Sequence, residues 1–267
     1  MLGAIAGDVL GSVYEHHPIQ AEDFNLFHPN CTFTDDSVMT IAIAHAILHG
    51  QNYATAMKYY GRLYPHAGYG GRFISWIFED EVRPYNSWGN GAAMRVSPIG
   101  FAFADIETVL SEAARSAEVS HNHPEGIRGA QATALAVFLA KQGIKKTVMR
   151  EVISQRFGYD LTQSLAEIRA SYSFDVSCQG SVPPALIAFF ESRDYEDAIR
   201  KAISLGGDSD TLACIAGGIA HAYYQHIPPE IVEFVRGRLP DEFIEVLEEF
   251  EVRFPTRGRP PGALRPN

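Results

Sequence analysis

Two short segments of this chain gather oxygen ligands at positions where a helix would begin. In CTFTDDSVMT, Thr34, Asp35 and Asp36 stand directly before a long apolar stretch; in SLGGDSDTLACIAGG, Asp208, Asp210 and Thr211 follow Gly206 and Gly207. The first segment alone has a purely structural explanation, because Thr34 suits an N-cap and both acids favour the positive end of a helix. The second segment offers the same chemistry again, and the repetition changes the balance. Residues two apart do not share a helix face, so Asp208 and Asp210 converge only at a turn or terminus, where a cation can collect both.

The donors are hard, with no cysteine and no paired histidine beside them, which favours Mg2+, Mn2+ or Ca2+ over zinc. Near the N-terminus, AGDVLGSVYE adds Asp8 and Glu15 on another glycine-punctuated segment. If Glu15, Asp35, Asp36, Asp208 and Asp210 meet in one site, their repulsion and desolvation are prohibitive without neutralisation, which two divalent ions would supply.

The block SWGNGAAMRVSPIGF is the second place where backbone chemistry shows through. Gly89, Gly91, Ala92 and Ala93 leave backbone amides uncovered, so a diphosphate can approach closely. Arg95 either adds positive charge or pairs with a core carboxylate. In VSHNHPEGIRGAQAT, His121 and His123 are spaced like metal ligands, yet no soft ligand accompanies them and Pro124 at a helix start explains the local geometry. Tyr69 in AGYGGRF can stack on a base or close over a pocket, whereas Phe73, Trp76 and Ile77 have the helical spacing of core residues. Cys178 has no base fixed beside it and reads as a buried, inert thiol; His16 and His17 read as surface or loop residues.

These groups have to be positioned by helices. Apolar residues recur at helical spacing almost throughout, as with Leu2, Ile5, Ala6, Val9, Leu10 and Val13, and strand alternation is scarce. The spacing predicts an all-α chain with helices over 2–14, 35–49, 53–63, 71–80, 105–118, 124–141, 145–157, 182–191, 194–204, 209–224, 229–236 and 240–250. Small residues in GAQATALAVFLA and TLACIAGGIAHAYY let helix axes approach closely. Gln131, Asp210 and His221 interrupt the apolar runs before they reach the roughly 20 residues that a membrane span requires. No linker divides the chain, so one domain is expected over 1–267, with the tail from about 254 to 267 extended.

Composition bounds the partners. With 267 residues and a formal net charge of -10, the chain lacks the basic face that nucleic acid requires. Three widely spaced cysteines, Cys31, Cys178 and Cys214, form no disulfide framework and fit a reducing cytoplasm. MLGAIAGDVLG is apolar but carries Asp8 and no basic leader, and reads as a core helix.

Taken in order, GAIAGDVLGSVYE, FTDDSVMT, GNGAAMRVSPIGF and GGDSDTLACIAGGIAHAYY resemble the signature blocks of the ADP-ribosylglycohydrolases, over about residues 2 to 224. The resemblance implies a compact all-α fold holding two Mg2+ or Mn2+ ions on Thr34, Asp35, Asp36, Asp208, Asp210 and Thr211. It implies catalysis involving Glu15 and Asp36, and substrate contacts at Asn90, Gly91, Ala92, Met94, Arg95, His121, Gly207 and Ser209, to which Tyr69 is added from its place in the glycine run. The implied activity is hydrolysis of the bond between ADP-ribose and an acceptor, either a protein side chain or a small molecule, with ADP-ribose as product and neither nucleic acid nor membrane as partner. Gln225 departs from the glycine that many members carry after the last block. Two rivals stand beside this reading. Isoprenoid-type diphosphate chemistry needs a third acid one turn beyond the Asp pair, where this chain has Thr40. A non-catalytic relative would keep the fold and bind ADP-ribose without turnover.

Overall fold

A computed structural model describes residues 1–81 and 83–256. The chain runs through α1 (Leu2–His16), α2 (Asp35–His49), α3 (Tyr53–Leu63), α4 (Gly71–Phe78), α5 (Gly91–Met94), α6 (Ser97–Ala102), α7 (Ile106–Glu118) and α8 (Pro124–Lys141). It continues with α9 (Lys146–Phe157), α10 (Leu165–Arg169), α11 (Cys178–Glu191), α12 (Tyr195–Ile203), α13 (Ser209–Tyr224), α14 (Pro229–Arg236) and α15 (Asp241–Arg253). Among the described residues the nearest thing to a sheet is one antiparallel bridge between Gly89 and Ser177. No helix there is long and apolar enough to cross a membrane.

The centre of the fold is α13, buried along most of its length, with α1 laid directly against it. Gly3, Gly7 and Gly11 recur every fourth residue and therefore share one face of α1. A Cβ added to Gly7 would stand 2.0 Å from the Ala213 carbonyl oxygen, and one added to Gly11 would stand 2.6 Å from the Asp210 Cα. The two backbones thus touch, which no residue larger than glycine permits. This contact places Asp8 and Glu15 on α1 beside the start of α13. Ser209 strengthens the junction by donating its hydroxyl to the Tyr14 carbonyl at 3.3 Å.

Both acid-bearing helix starts have clear local causes. Thr34 is the N-cap of α2, and its hydroxyl accepts from the Asp36 amide at 3.4 Å. Ahead of α13, Gly206 and Gly207 both adopt left-handed backbone, with φ of 75° and 71°, which turns the chain sharply into the helix. The C-cap of α13 is Gln225 in left-handed backbone at φ 54°, the conformation that glycine, expected there from the resemblance, would adopt without strain.

Helix ends differ from the sequence expectation mainly around proline and in short pieces. Spacing predicts a helix from 182, yet α11 begins at Cys178 and carries Pro183 and Pro184 inside it. Pro184 cannot donate to the Gly180 carbonyl one turn back, and the Tyr172 hydroxyl takes that place at 2.9 Å. The block after Trp88 is not an open loop but folds into α5 and α6, and α10 was also unforeseen; all three are too short to carry a periodicity. Helix α4 stops at Phe78 instead of running to 80. Of the C-terminal tail, residues 257–267 lie outside those described.

The α1–α13 contact makes a stability prediction. Gly7→Ala should lower unfolding free energy by about 3 kcal/mol, since the opposing group is backbone and has nowhere to go. Gly71→Ala, where a Cβ meets nothing within 4 Å, should leave it nearly unchanged. Urea unfolding of both variants checks this; equal midpoints would mean the helices can separate at little expense.

Candidate functional site

A cleft of about 690 Å³ opens between the end of α1, the start of α2, the loop before α4, the segment around α5 and the start of α13. Glu15, Thr34, Asp35, Asp36, Asp208, Asp210 and Thr211 all line it. Carboxylate oxygens of Asp8, Asp36 and Asp210 lie within 4.8 Å of one another, and so do those of Glu15, Asp208 and Asp210. Asp210 belongs to both groups. Five acids, from the middle and end of α1 and the starts of α2 and α13, are therefore drawn into two adjoining clusters with one member in common.

Each acid is held differently. Asp8 is fully buried and accepts from the Thr34 amide at 3.0 Å, the Thr34 hydroxyl at 2.6 Å, the Ser37 amide at 3.0 Å and the Ser37 hydroxyl. It ties α1 to the N-terminal amides of α2 and so fixes where Asp35 and Asp36 stand. Asp36 accepts from the Thr211 hydroxyl at 3.3 Å through one oxygen, while its Oδ1 is buried with no partner. Asp208 occupies the N-cap position of α13 but caps nothing with its side chain. It instead accepts from the Asn90 amide nitrogen at 2.7 Å, and that nitrogen also donates to Ser181 at 2.9 Å. Asp210 accepts from the Thr211 amide at 2.9 Å. The simple capping explanation thus holds for Thr34 and fails for Asp208.

The electrostatics show what this cluster lacks. Burial, followed by the neighbouring carboxylates, pushes Asp35, Asp36 and Asp210 well above their ordinary pKa. Asp8 is raised by burial against the pull of its four hydrogen bonds, and Glu15 is raised by burial and by Asp208. Among the described residues no Lys or Arg forms an ion pair with any of the five acids, and the one such contact is exposed His16, 3.7 Å from Glu15. A buried oxygen without a donor, hard oxygen ligands and uncompensated negative charge together fit divalent cations.

The opposite wall is built from α5 and its neighbours. Asn90, Gly91, Met94, Arg95 and His121 line the cleft together with Arg72, Phe73 and Tyr85. Most of the backbone amides expected to be free here are spoken for: Gly89 donates to Ser87, Asn90 to Val176, Ala92 to Gly89 and Ala93 to Asn90. Within Gly89–Ala93 only the Gly91 amide has no partner among the described residues. Arg95 has no carboxylate partner. Its guanidinium is 0% exposed, donates to the Ser116 carbonyl at 2.9 Å and the Ser120 hydroxyl at 3.1 Å, and leaves Nε and Nη1 unpaired; burial lowers its pKa to about 10. His121 Nδ1 meets the same Ser120 hydroxyl at 2.8 Å, and burial and Arg95 hold the ring well below its ordinary pKa, so it is neutral.

Four expected substrate contacts do not reach the cleft. Tyr69 packs on Phe73, its ring centroid 5.7 Å away and its hydroxyl buried, and does not line the cleft. Ala92 is enclosed in the core, Ser209 is spent on the α1–α13 junction, and Gly207 packs beside Tyr172 and Phe174. His16 and His17 are exposed, as expected, and also line the cleft. His123 caps α8 by accepting from the Glu125 amide and takes no part. Cys178 is buried with its thiol pushed up to about 12, in keeping with an inert role. Asp8 as a fixed partner of both helices, Ser37 and Ser181 went unrecognised; a lone acid in the apolar run GAIAGDVLG was the available sign for the first.

The chain is all-α, and acids from α1, α2 and the start of α13 cluster in a cleft whose opposite wall carries Arg72, Arg95 and the unpaired Gly91 amide. The sequence model of ADP-ribosylglycohydrolase matches residues 1–259, and the chain belongs to that family. It is 26% identical to ADP-ribosylhydrolase ARH3 of Gallus gallus, with 86% of each protein covered, and 28% identical to the Homo sapiens protein of that name, with 84% of each covered. An ADP-ribosylarginine hydrolase of Pseudomonas putida is 28% identical, over 88% of this chain and 72% of the relative. The solved structure of an ADP-ribosylglycohydrolase-related protein complex has the same fold, with a TM-score of 0.74, 23% identity and coverage of 94% and 95% of the two chains.

The raised carboxyl groups carry a sign. An acid whose folded-state pKa lies above its unfolded value favours folding while protonated, and that contribution is lost as pH rises through the folded value. In chelator, Asp35, Asp36 and Asp210 should therefore destabilise the protein progressively as pH climbs from their ordinary value of 3.8. The rise in Tm produced by Mg2+ should grow between acidic and mildly alkaline buffers. Thermal melts with and without Mg2+ across that range check it, and a Tm that ignores Mg2+ at every pH would contradict it.

Proposed function

We propose that this chain is a metal-dependent hydrolase that cleaves the glycosidic bond between ADP-ribose and its acceptor, a protein side chain or a small molecule. The observation that carries the reading is the pair of carboxylate clusters sharing Asp210 at the floor of the cleft. Asp36, Asp208 and Asp210 would hold two divalent ions, Mg2+ or Mn2+, with Asp35, Thr34 and Thr211 as the further ligands that family membership implies. When bound, such ions supply Lewis acidity, fixing ribose hydroxyls and lowering the pKa of a water.

The rest of the chemistry belongs to the chain. Bond cleavage at C1 of the distal ribose builds positive charge on the ring, and carboxylates converging on one floor stabilise it. Glu15 is half-buried, touches the second cluster and has a raised pKa, which suits a group that passes a proton to the departing acceptor or takes one from water. Asn90 holds Asp208 in place, and Asp8 does the same for the start of α2. On the far wall, Arg72 lies with its guanidinium 5.0 Å from the Tyr85 ring and offers charge and stacking surface, and the unpaired Gly91 amide can donate to a phosphate. Buried Arg95 adds a fixed positive field behind it.

A release assay on arginine-linked and serine-linked ADP-ribosyl peptides, with Mg2+, Mn2+ or chelator, tests the reading. Turnover is expected with metal and not in chelator. Asp208→Asn should lower it roughly tenfold or more, and Glu15→Gln about a hundredfold, while ADP-ribose affinity changes far less in the Glu15 variant. ADP-ribose binding with no release from any conjugate would favour the non-catalytic alternative.

A further inference from the structure

Away from the cleft, the last turns of α2 carry a second group of metal-ligating side chains. His45 and His49 are one turn apart, so both imidazoles leave the same face of the helix, and their ring centroids stand 4.3 Å from each other. Helix α15 packs on α2 and brings Glu249 to the pair, one carboxylate oxygen 4.0 Å from His49 Nε2. The Tyr60 hydroxyl meets His45 Nδ1 at 3.1 Å. That contact fixes the ring from behind and leaves Nε2 as the ligating nitrogen, as partners of metal-bound histidines commonly do.

We propose that His45, His49 and Glu249 form a surface site for a borderline divalent cation such as Zn2+, bridging α2 and α15. Two imidazole nitrogens at i and i+4 of one helix and a carboxylate oxygen from a neighbour are the ligand types of a three-ligand zinc site with water in the fourth position; the three donor atoms do not all stand within 4.8 Å of one another, so an ion has to draw them together. The donors differ in kind from those of the cleft: nitrogen-rich here, carboxylate and hydroxyl oxygen there. Binding requires neutral imidazoles, and burial together with His49 already lowers the pKa of His45. The side chains of His49 and Glu249 are 42% and 53% exposed, so both can turn to close on an ion at little expense. Because α2 begins with Asp35 and Asp36, an ion here would clamp the far end of the helix that supplies the cleft with two acids.

Equilibrium dialysis against micromolar Zn2+ in excess Mg2+, which keeps the oxygen site occupied, tests the proposal on the full chain. Wild type should retain about one Zn2+ that His49→Ala loses, and Glu249→Gln should bind at least tenfold more weakly. His49 is exposed at a helix end, so its loss leaves the fold intact, and unchanged Mg2+-dependent turnover in His49→Ala would separate this site from the cleft. With Co2+ in place of Zn2+, wild type should show visible absorption bands that His49→Ala removes. No zinc retention by wild type, or equal retention by His49→Ala, would overturn the proposal.

Discussion

Four carboxylates that repel one another are forced together by the direct backbone contact between α1 and α13. Gly3, Gly7 and Gly11 let those helices touch, and the touching brings Asp8 and Glu15 to Asp210 and Asp208. Asp8 then extends the arrangement to α2 by accepting both the amides and the hydroxyls of Thr34 and Ser37. The apolar core supplies the favourable free energy that holds the acids at this spacing. The resulting charge is a standing demand for cations, met by no Lys or Arg among the described residues.

The cleft is consequently bipolar. At one end lies a dense cluster of acids with no Lys or Arg partner among the described residues; at the other lie a buried guanidinium without a counter-ion, an unpaired amide and aromatic rings. A ligand that bridges the two ends should itself carry anionic groups at one end and neutral hydroxyls at the other. A ribose joined to a diphosphate has that distribution, which is why family membership and local chemistry point the same way.

Much of this was legible in the sequence, for identifiable reasons. Helices α3 and α14 carry strong periodicity, α2, α8 and α13 are long apolar runs with clear boundary residues, and the ends of all five agree with the sequence expectation. The acids at two helix starts were legible because the same set of two Asp and one Thr recurs at both, although either alone reads as ordinary capping. What stayed hidden depended on contacts distant in sequence. Nothing local says that Tyr172 would repair the carbonyl freed by Pro184, that the amides of Gly89, Asn90, Ala92 and Ala93 would be bonded internally, or that Tyr69 would pack against Phe73. Asp8 illustrates the limit most clearly, for its role rests on partners 26 and 29 residues away.

The central claim is that the clustered acids exist to hold two cations through a shared Asp210. Crystals of the protein grown with Mn2+ and measured for anomalous scattering test it most directly. Two peaks about 3.5–4 Å apart, both within bonding distance of Asp210, are the expected result. Full Mn2+-dependent turnover accompanied by no peak at Asp210, or by peaks only elsewhere on the molecule, would contradict the account.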